Sequence, residues 1–237
     1  MTESAAAAGP SAATPMSSVA WLVERAHIEE AAAGLVASAS DGGALVESLH
    51  ANGKMVEALR VIGAALPPRE GVWWAWVSAR HAAPLAALGG APPEVVTDAL
   101  AAVEQWIANP DDERRRAAWS ASDKAGLETA AGCVAAAVFF TSGSVAPPDV
   151  TPVPPPAGID RTLVGSAVAI AAAAQPEHFE ALAGAYIAQG LEVVKQLGGW
   201  DKAGSLSQEH FQTQHERHAR LTQPPPSDSS TTQRAAR

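Results

Sequence analysis

The chain has 237 residues, of which 47% are hydrophobic and 17% charged, with a formal net charge of −9. This composition predicts a globular chain of one large or two small domains and excludes a disordered one. The negative charge argues against nucleic-acid binding, because phosphate backbones repel an acidic surface. The strongest basic cluster, residues 114–116, directly follows three acids at 111–113, which cancel most of its field.

Alanine dominates the apolar residues, while isoleucine, phenylalanine and tyrosine are rare. Alanine is the strongest helix former and a poor strand former. We therefore predict an all-α fold, a compact helical bundle of about eight helices with a proline-rich extended strap and disordered termini.

Neither a signal peptide nor a membrane anchor is predicted. Residues 1–16 are mostly Ala, Ser, Pro and Gly, with no positive n-region and no long apolar core, so we expect a disordered leader. The longest uninterrupted apolar stretch, 130–140, is well short of the roughly 20 residues that span a bilayer. These features predict a soluble, cytoplasmic protein without membrane contact.

Apolar spacing and turn residues predict the helices in chain order. Asn52-Gly53 separates two of them, and Pro67-Pro68 ends one helix and begins the next. The predicted segments are 17–26, 29–40, 44–51, 54–66, 68–82, 93–108, one that starts at Asn109, 124–141, 160–174 and 176–197.

The segment from Asn109 carries strong helix-start signals. We predict Asn109 as the cap, Pro110 at the first helical position, residues 114–116 facing outward and Trp119 facing inward. The next segment, 124–141, consists almost entirely of small apolar residues and is predicted to be the central buried helix. It contains the single cysteine, Cys133, which we interpret as a buried, inert thiol that cannot form an intrachain disulfide.

A proline-rich stretch at 146–157 divides the chain. Its prolines exclude helix and central strand, so we predict an extended strap. The resulting organisation is a helical domain at 17–145, the strap, a helix pair at 158–204 that packs on the same core, and a polar, largely disordered tail at 205–237.

Three tryptophans fall within four residues at 73, 74 and 76. Helical spacing places Trp73 and Trp76 on one broad face, which we assign to the core, so that Trp73→Ala is expected to cost about 3–5 kcal/mol. Trp74 lies on the adjacent face and is a candidate for a partner surface, because exposed Trp is typical of binding hot spots. Burial of Trp74 in the core is the alternative.

Arg69 and Glu70 open the tryptophan helix. They suit either a recognition pair beside an aromatic pocket or a structural cap and ion pair. Arg80 lies one turn beyond Trp76 and can stack on it. The candidate partner or ligand surface therefore consists of Arg69, Glu70, Trp74, Trp76 and Arg80.

The sequence gives no catalytic residue, metal site or cofactor. It has no Gly-x-Ser-x-Gly, phosphate-loop or dinucleotide motif, and Gly143-Ser144 has no evident histidine partner. His210, His215 and His218 are a possible metal group, but zinc requires three or four rigidly held ligands and the segment borders a polar tail. We predict no metal there and no enzyme activity.

Two blocks resemble the signature of an uncharacterised bacterial all-helical family. The first is residues 66–75, and the second begins at 139–144 and continues through the prolines to 156. Gly71 stands where the family usually has alanine, and Trp76 where it usually has a small residue. The resemblance carries no established activity. Members often lie near genes of type VI secretion systems, which implies an accessory, adaptor or chaperone-like role.

The leading hypothesis is therefore a non-catalytic interaction protein with a protein partner. Two alternatives stay open: an enzyme whose pocket is assembled from scattered side chains, and a small-molecule binder whose pocket the Trp73–Trp76 cluster lines.

Overall fold

The computed structural model describes residues 18–28, 32–84 and 91–222. Within these ranges the protein is all-helical and has no strand, which confirms the predicted class. The described residues form eleven α-helices rather than about eight. They are α1 (Ser18–Ala26), α2 (Ala33–Ser38), α3 (Gly42–Ala51), α4 (Met55–Ala65), α5 (Pro68–Ala82), α6 (Pro93–Ala108), α7 (Asp112–Ala125), α8 (Ala130–Phe140), α9 (Ile159–Ala172), α10 (Phe179–Gln196) and α11 (Trp200–Thr222).

Helix α8 lies at the centre of the bundle and packs against α5, α6, α7 and α9. Every residue from Ala130 to Phe139 is buried, which confirms the predicted central position. The helix begins at Ala130 rather than at 124, because Lys124 and Ala125 end α7 and Gly126, with φ +78°, stops that helix. The small side chains of α8 leave room for four neighbouring helices. Cys133 is buried here and donates to the Leu163 carbonyl at 3.4 Å. Burial raises the pKa of this thiol to about 12, so it stays protonated at neutral pH.

Helices α4 and α9 cross at close range through two glycines. A Cβ atom at Gly63 would lie 3.1 Å from the backbone nitrogen of Gly165, and one at Gly165 would lie 3.1 Å from the Cα of Arg60. Larger residues would push the two backbones apart. The crossing joins α4, near the N-terminus, to the helix that follows the proline strap.

Most helix boundaries follow the local signals. Helix α3 ends before Asn52-Gly53, where Gly53 has φ +70°, and Pro68 occupies the first turn of α5. The start of α7 differs from the prediction. Its cap is Asp111, whose carboxylate accepts from the backbone N–H of Arg114 at 2.8 Å. Asp111 caps the helix in place of Asn109 because a charged carboxylate is a stronger acceptor than an amide for the N–H groups at the positive helix end.

The strap at 146–157 contains no helix or strand, as predicted. The side-chain oxygen of Ser144 accepts from the backbone N–H groups of Ala146 (3.1 Å) and Val153 (3.0 Å), and the Val145 N–H donates to the Val153 carbonyl at 2.7 Å. These bonds close residues 144–153 into a loop.

The C-terminal helices return to the same core. Helix α9 packs on α4, α5 and α8, and α10 packs on α4 and α5. The prediction of a largely disordered tail from 205 is wrong for its first part, because helix α11 continues through this polar segment to Thr222. Ser207 on α11 is buried and donates to the Ala64 carbonyl at 2.8 Å, so tertiary contacts stabilise this polar helix. The predicted leader and residues 223–237 lie outside the described ranges.

Candidate functional site

Trp74 on α5 is enclosed between α4 and α10, and we call this enclosed position the Trp74 seat. It is fully buried, and its indole N–H donates to the Tyr186 carbonyl at 3.1 Å. The hydroxyl of the same tyrosine lies 2.8 Å from Nδ1 of His81 and 3.4 Å from the Ser78 carbonyl. Burial raises the pKa of Tyr186. The assignment of Trp74 to a partner surface is therefore wrong, and the alternative of core burial is correct.

The opposite outcome holds for Trp73. Its exposed fraction is 39%, so the assignment of this residue to the core is wrong, and the large expected cost of Trp73→Ala loses its premise. Positions 73 and 74 are about 100° apart on a helix at 3.6 residues per turn. Both faces of α5 carry tryptophan, and only the positions of α6 and α10 decide which indole is buried.

Four side chains share the face of α5 that lies beside α6. Arg69, Trp73, Trp76 and Arg80 recur at i, i+4, i+7 and i+11, which places them in one row on a helix. We call these four residues the tryptophan stripe. Three of the five residues of the predicted surface belong to it.

Two members of the tryptophan stripe are bonded to backbone carbonyls of α6. The Arg69 guanidinium donates from Nε (2.9 Å) and Nη2 (2.6 Å) to the Ile107 carbonyl, and the Trp76 indole N–H donates to the Leu100 carbonyl at 2.9 Å. The Arg80 guanidinium carbon lies 5.1 Å from the centroid of the Trp76 ring, a cation–π contact. The stripe is thereby fixed on a two-helix platform.

The pair at the start of α5 serves the helix ends. Glu70 lies in the first turn of α5, where an acid complements the positive helix end. Arg69 does not pair with an acid in the described chain but with a carbonyl in the last turn of α6, which would otherwise have no intrahelical partner. This geometry favours the structural interpretation of Arg69, while recognition by the pair stays a prediction.

A second exposed indole lies on α7. Trp119, predicted to face inward, has an exposed fraction of 38%. Its ring stacks on Phe139 at 4.8 Å between centroids and meets Phe140 edge to face at 5.8 Å. Trp119 therefore covers the end of α8 without being enclosed.

Below this aromatic group, three residues of α7 hold the loop that precedes the strap. We call Asp112, Arg115 and Arg116 the arginine clamp. Arg115 is buried and donates to the carbonyls of Phe139 (2.6 Å) and Ser144 (2.8 Å). Arg116 donates to the Ala146 carbonyl at 3.0 Å. The prediction that these arginines face outward is thus wrong for Arg115.

Asp112 supplies the negative charge of the clamp. Its carboxylate accepts from Arg116 at 2.8 Å and from Arg115 at 2.6 Å. These hydrogen bonds, first that of Arg116 and then that of Arg115, lower the pKa of Asp112. The helical spacing of 112, 115, 116 and 119 was the signal in the sequence that these side chains share one face.

An apolar cavity of about 320 Å³ opens between α5, α8 and α9. Its lining is mainly alanine, with Val96, Ile170 and Pro176, and Glu128 and Thr129 are its polar members. Neither Trp73 nor Trp76 lines it. The cavity is therefore distinct from the tryptophan-lined pocket that the sequence suggested.

Of the three histidines near the C-terminus, the structure describes the side chain of His210 alone. His210 places Nε2 2.9 Å from the Thr141 carbonyl, whereas the side chains of His215 and His218 lie outside the described residues. In the part of the chain that the structure describes, no three His, Cys, Asp or Glu side chains are grouped as a metal site would require. Likewise, no helix of that part is long and apolar enough to cross a membrane.

Comparison with known proteins places most of this bundle in one family. The family model of DUF6931, described as a family of unknown function, matches residues 45–194, which is more than half of the chain and runs from α3 to α10. No curated protein and no solved structure matches the chain. The matched region includes the tryptophan stripe, the arginine clamp and the proline strap.

Proposed function

The chain belongs to the DUF6931 family of unknown function, and we propose that it is a non-catalytic interaction protein that binds a protein partner through the tryptophan stripe. The observation that carries this proposal is Trp73, a large aromatic side chain left 39% exposed in the middle of a row whose other members are fixed. Tryptophan and arginine are the residues most enriched at binding hot spots.

Preorganisation is the physical reason to favour this surface. Binding loses free energy when flexible side chains must be ordered, by about 0.5–1.5 kcal/mol for each one. Arg69 and Trp76 are already bonded to carbonyls of α6, so this cost is met during folding. A partner would gain the apolar area of Trp73 without ordering its neighbours.

The identity of the partner is a further proposal. The sequence blocks at 66–75 and 139–156 resemble a family whose members lie near type VI secretion genes, and we propose an adaptor or chaperone-like role beside such an apparatus. The support for this link is the resemblance alone.

The test compares two tryptophans with almost equal exposure on different helices. The variants are Trp73→Ala on the stripe and Trp119→Ala on α7, with exposed fractions of 39% and 38% in the native chain. Each tagged variant is expressed in the native host, and the proteins it captures are quantified against wild type. We expect Trp73→Ala to lose the defined partner at least about tenfold and Trp119→Ala to retain it.

Folding is checked separately in the same samples. Because Trp73 is partly exposed, Trp73→Ala is expected to lower the free energy of unfolding by about 1–2 kcal/mol, which leaves the protein folded and is measured by urea denaturation. If wild type and Trp73→Ala captured equal amounts of the partner, the tryptophan stripe would not be the binding surface. Loss of the partner from Trp119→Ala alone would move the binding surface to α7.

The apolar cavity favours a second candidate function, a small-molecule binder. A concave, mostly apolar site with a few polar groups is the usual form of a ligand pocket. The Val96→Trp variant would fill the cavity near α6, so an apolar probe such as anilinonaphthalene sulfonate should bind wild type and not the variant. The remaining alternative, an enzyme, would be established by turnover of any substrate by the purified protein.

A further inference from the structure

A second, smaller cavity of about 120 Å³ lies where the end of α1 meets α4 and the start of α9. Its lining is unusual for this acidic chain, because three arginines and a histidine are among the six residues that form it. The lining residues are Arg25, Ala26, His27, Arg60, Arg161 and Thr162. None of them belongs to the tryptophan stripe, so a ligand bound in this cavity would be independent of the function proposed for the stripe.

Local structure explains how two of these side chains reach the cavity. Helix α1 ends in a Schellman turn, in which the Ile28 N–H donates to the Val23 carbonyl and the His27 N–H to the Glu24 carbonyl. His27 occupies the left-handed position of that turn, with φ 50°, where glycine is usual. Arg25 lies over the Phe211 ring, with its guanidinium carbon 3.8 Å from the centroid. This contact holds the end of α1 against α11.

The other two arginines come from the crossing of α4 and α9. Arg161 is buried and donates from Nε to the Ser207 hydroxyl at 2.6 Å, so α11 fixes its orientation. Arg60 is half-buried, and its Cα and Cγ lie against Gly165. The cavity therefore joins α1, α4 and α9, with α11 behind it.

The positive charge around the cavity is not fully neutralised by the described chain. Glu24 pairs with Arg25 at 3.1 Å, and Asp160 pairs with Arg161 at 3.1 Å. These two carboxylates face three guanidinium groups. Among the described residues, Arg60 makes no hydrogen bond or ion pair, and Nε of Arg25 is buried without a hydrogen-bond partner.

Such an arrangement is costly for folding alone. A buried donor without a partner is unfavourable, and like charges brought together repel. Groups of this kind occur mainly where a ligand satisfies them. An anion in the cavity would accept from Arg25 and Arg60 and neutralise the excess charge.

We propose that this cavity is a binding site for a phosphate group, held by Arg25 and Arg60. The three guanidinium nitrogens of Arg161 already donate to Ser207 and Asp160, so Arg161 adds positive charge beside the site. Guanidinium groups match the oxygens of phosphate, which they bind in a forked geometry. The cavity exceeds the about 10–15 Å³ that one water needs and is too small for a whole nucleotide. It therefore suits inorganic phosphate or the terminal phosphate of an ester.

Phosphate is favoured over a carboxylate by the number of donors. Two arginines in the cavity already have a carboxylate partner, and the third has none. A dianion with oxygens on all sides can accept from several guanidinium groups at once, whereas a carboxylate presents two oxygens in one plane.

The test measures the melting temperature of the full chain in inorganic phosphate, with chloride and acetate as arms at matched ionic strength and pH. A ligand that binds only the folded state raises this temperature, by about 3–6 °C at a concentration tenfold above its Kd. We expect this rise in phosphate and none in chloride or acetate. Isothermal titration then gives the affinity, and the same titration with glycerol 1-phosphate asks whether an ester is accepted.

The decisive variant is Arg60→Gln, which keeps the carbons that lie against Gly165 and removes the unpaired charge. Its matched control is Arg80→Gln, the same chemical change on the tryptophan stripe. We expect Arg60→Gln to bind phosphate at least about tenfold more weakly and Arg80→Gln to bind as wild type does. In chloride, Arg60→Gln should melt at or above the wild-type temperature, since it relieves repulsion.

Arg60→Glu is the second variant. It places a carboxylate beside the other two arginines, so it should remove the phosphate response and still fold. Each of the following results would overturn the proposal: no phosphate response in wild type, an equal response in wild type and Arg60→Gln, or a response to acetate as large as that to phosphate. Glu29 and Glu30 follow closely in the sequence and lie outside the described ranges. If phosphate binds only after both are changed to Gln, the anion is supplied by the chain and the proposal fails.

Discussion

The two sequence blocks that resemble a known signature are held in the bundle by different forces. The block at 66–75 is secured by apolar burial, because Trp74 fills a seat on α10 and its N–H is satisfied by a carbonyl. The block at 139–156 begins with the buried Phe139 and is joined to α7 by the arginine clamp, which donates to the carbonyls of Phe139, Ser144 and Ala146. These carbonyls lie at the end of α8 and in the loop that follows, where helical pairing stops, so side chains of a neighbouring helix satisfy them.

The largest expected effect is on the apolar side of this comparison. Trp74→Ala removes a fully buried indole and leaves the Tyr186 carbonyl without its donor, so it should lower the free energy of unfolding by about 3–5 kcal/mol. Urea denaturation measures the change. The neighbouring Trp73→Ala is the matched control. If Trp73→Ala lowered the stability more than Trp74→Ala, the assignment of the buried and exposed faces of α5 would be wrong.

The polar block is tested by Arg115→Ala. This variant leaves the Phe139 carbonyl without a charged donor and the Ser144 carbonyl with Arg116 alone, at 3.2 Å, while Asp112 stays accessible to water. It should cost about 2–3 kcal/mol. Arg114→Ala is the control, because that arginine pairs only with Asp111 at the helix start. Limited proteolysis should also cut residues 144–153 faster in Arg115→Ala. Equal stability of the two variants would show that the clamp does not hold the strap.

The close packing around Trp74 is tested more sharply by Gly190→Ala, which adds one methyl group to the Trp74 seat. A Cβ atom at Gly190 would lie 2.7 Å from Cγ2 of Ile62 and 2.9 Å from the Trp74 ring. Gly190→Ala should therefore destabilise the chain by about 1–2 kcal/mol through overpacking. On the same helix, Gly184→Ala would meet only the His50 ring at 3.6 Å and should be neutral or slightly stabilising. Similar melting temperatures for both variants would contradict the tight seat.

The smallest expected effect is the pH dependence of the stability that Asp112 contributes to the arginine clamp. Because the folded state lowers the pKa of Asp112, its ion pairs stabilise the fold above the unfolded pKa of about 3.9. This contribution is lost as the pH falls through the lower folded value. Asp112 is 60% exposed, so solvent screening keeps the effect below about 1 kcal/mol.

The comparison is made by urea denaturation of wild type and Asp112→Asn between pH 3 and 7. The stability difference should be constant above about pH 5 and shrink as the pH falls below 4. A difference that grows on acidification would mean that Asp112 is not held by the arginines.

Several features could be predicted from the sequence because they depend on local chemistry. The alanine content favoured helices, Asn52-Gly53 and Pro68 marked helix ends, and the apolar run at 130–140 indicated the central helix. Each signal acts within a few residues of the chain, through backbone conformation or side-chain spacing. The extended strap belongs to the same class, since proline restricts its own backbone.

The candidate site depended on neighbours that the sequence does not place side by side. Trp73 and Trp74 have the same chemistry, and α6 and α10 alone decided that the second is buried and the first exposed. Arg115 was predicted to face outward because its partners, the Phe139 and Ser144 carbonyls, lie more than twenty residues away. The convergence of Arg25, Arg60 and Arg161 is likewise a product of helix crossing. Local sequence determined the helices, and long-range packing decided which of their faces are buried.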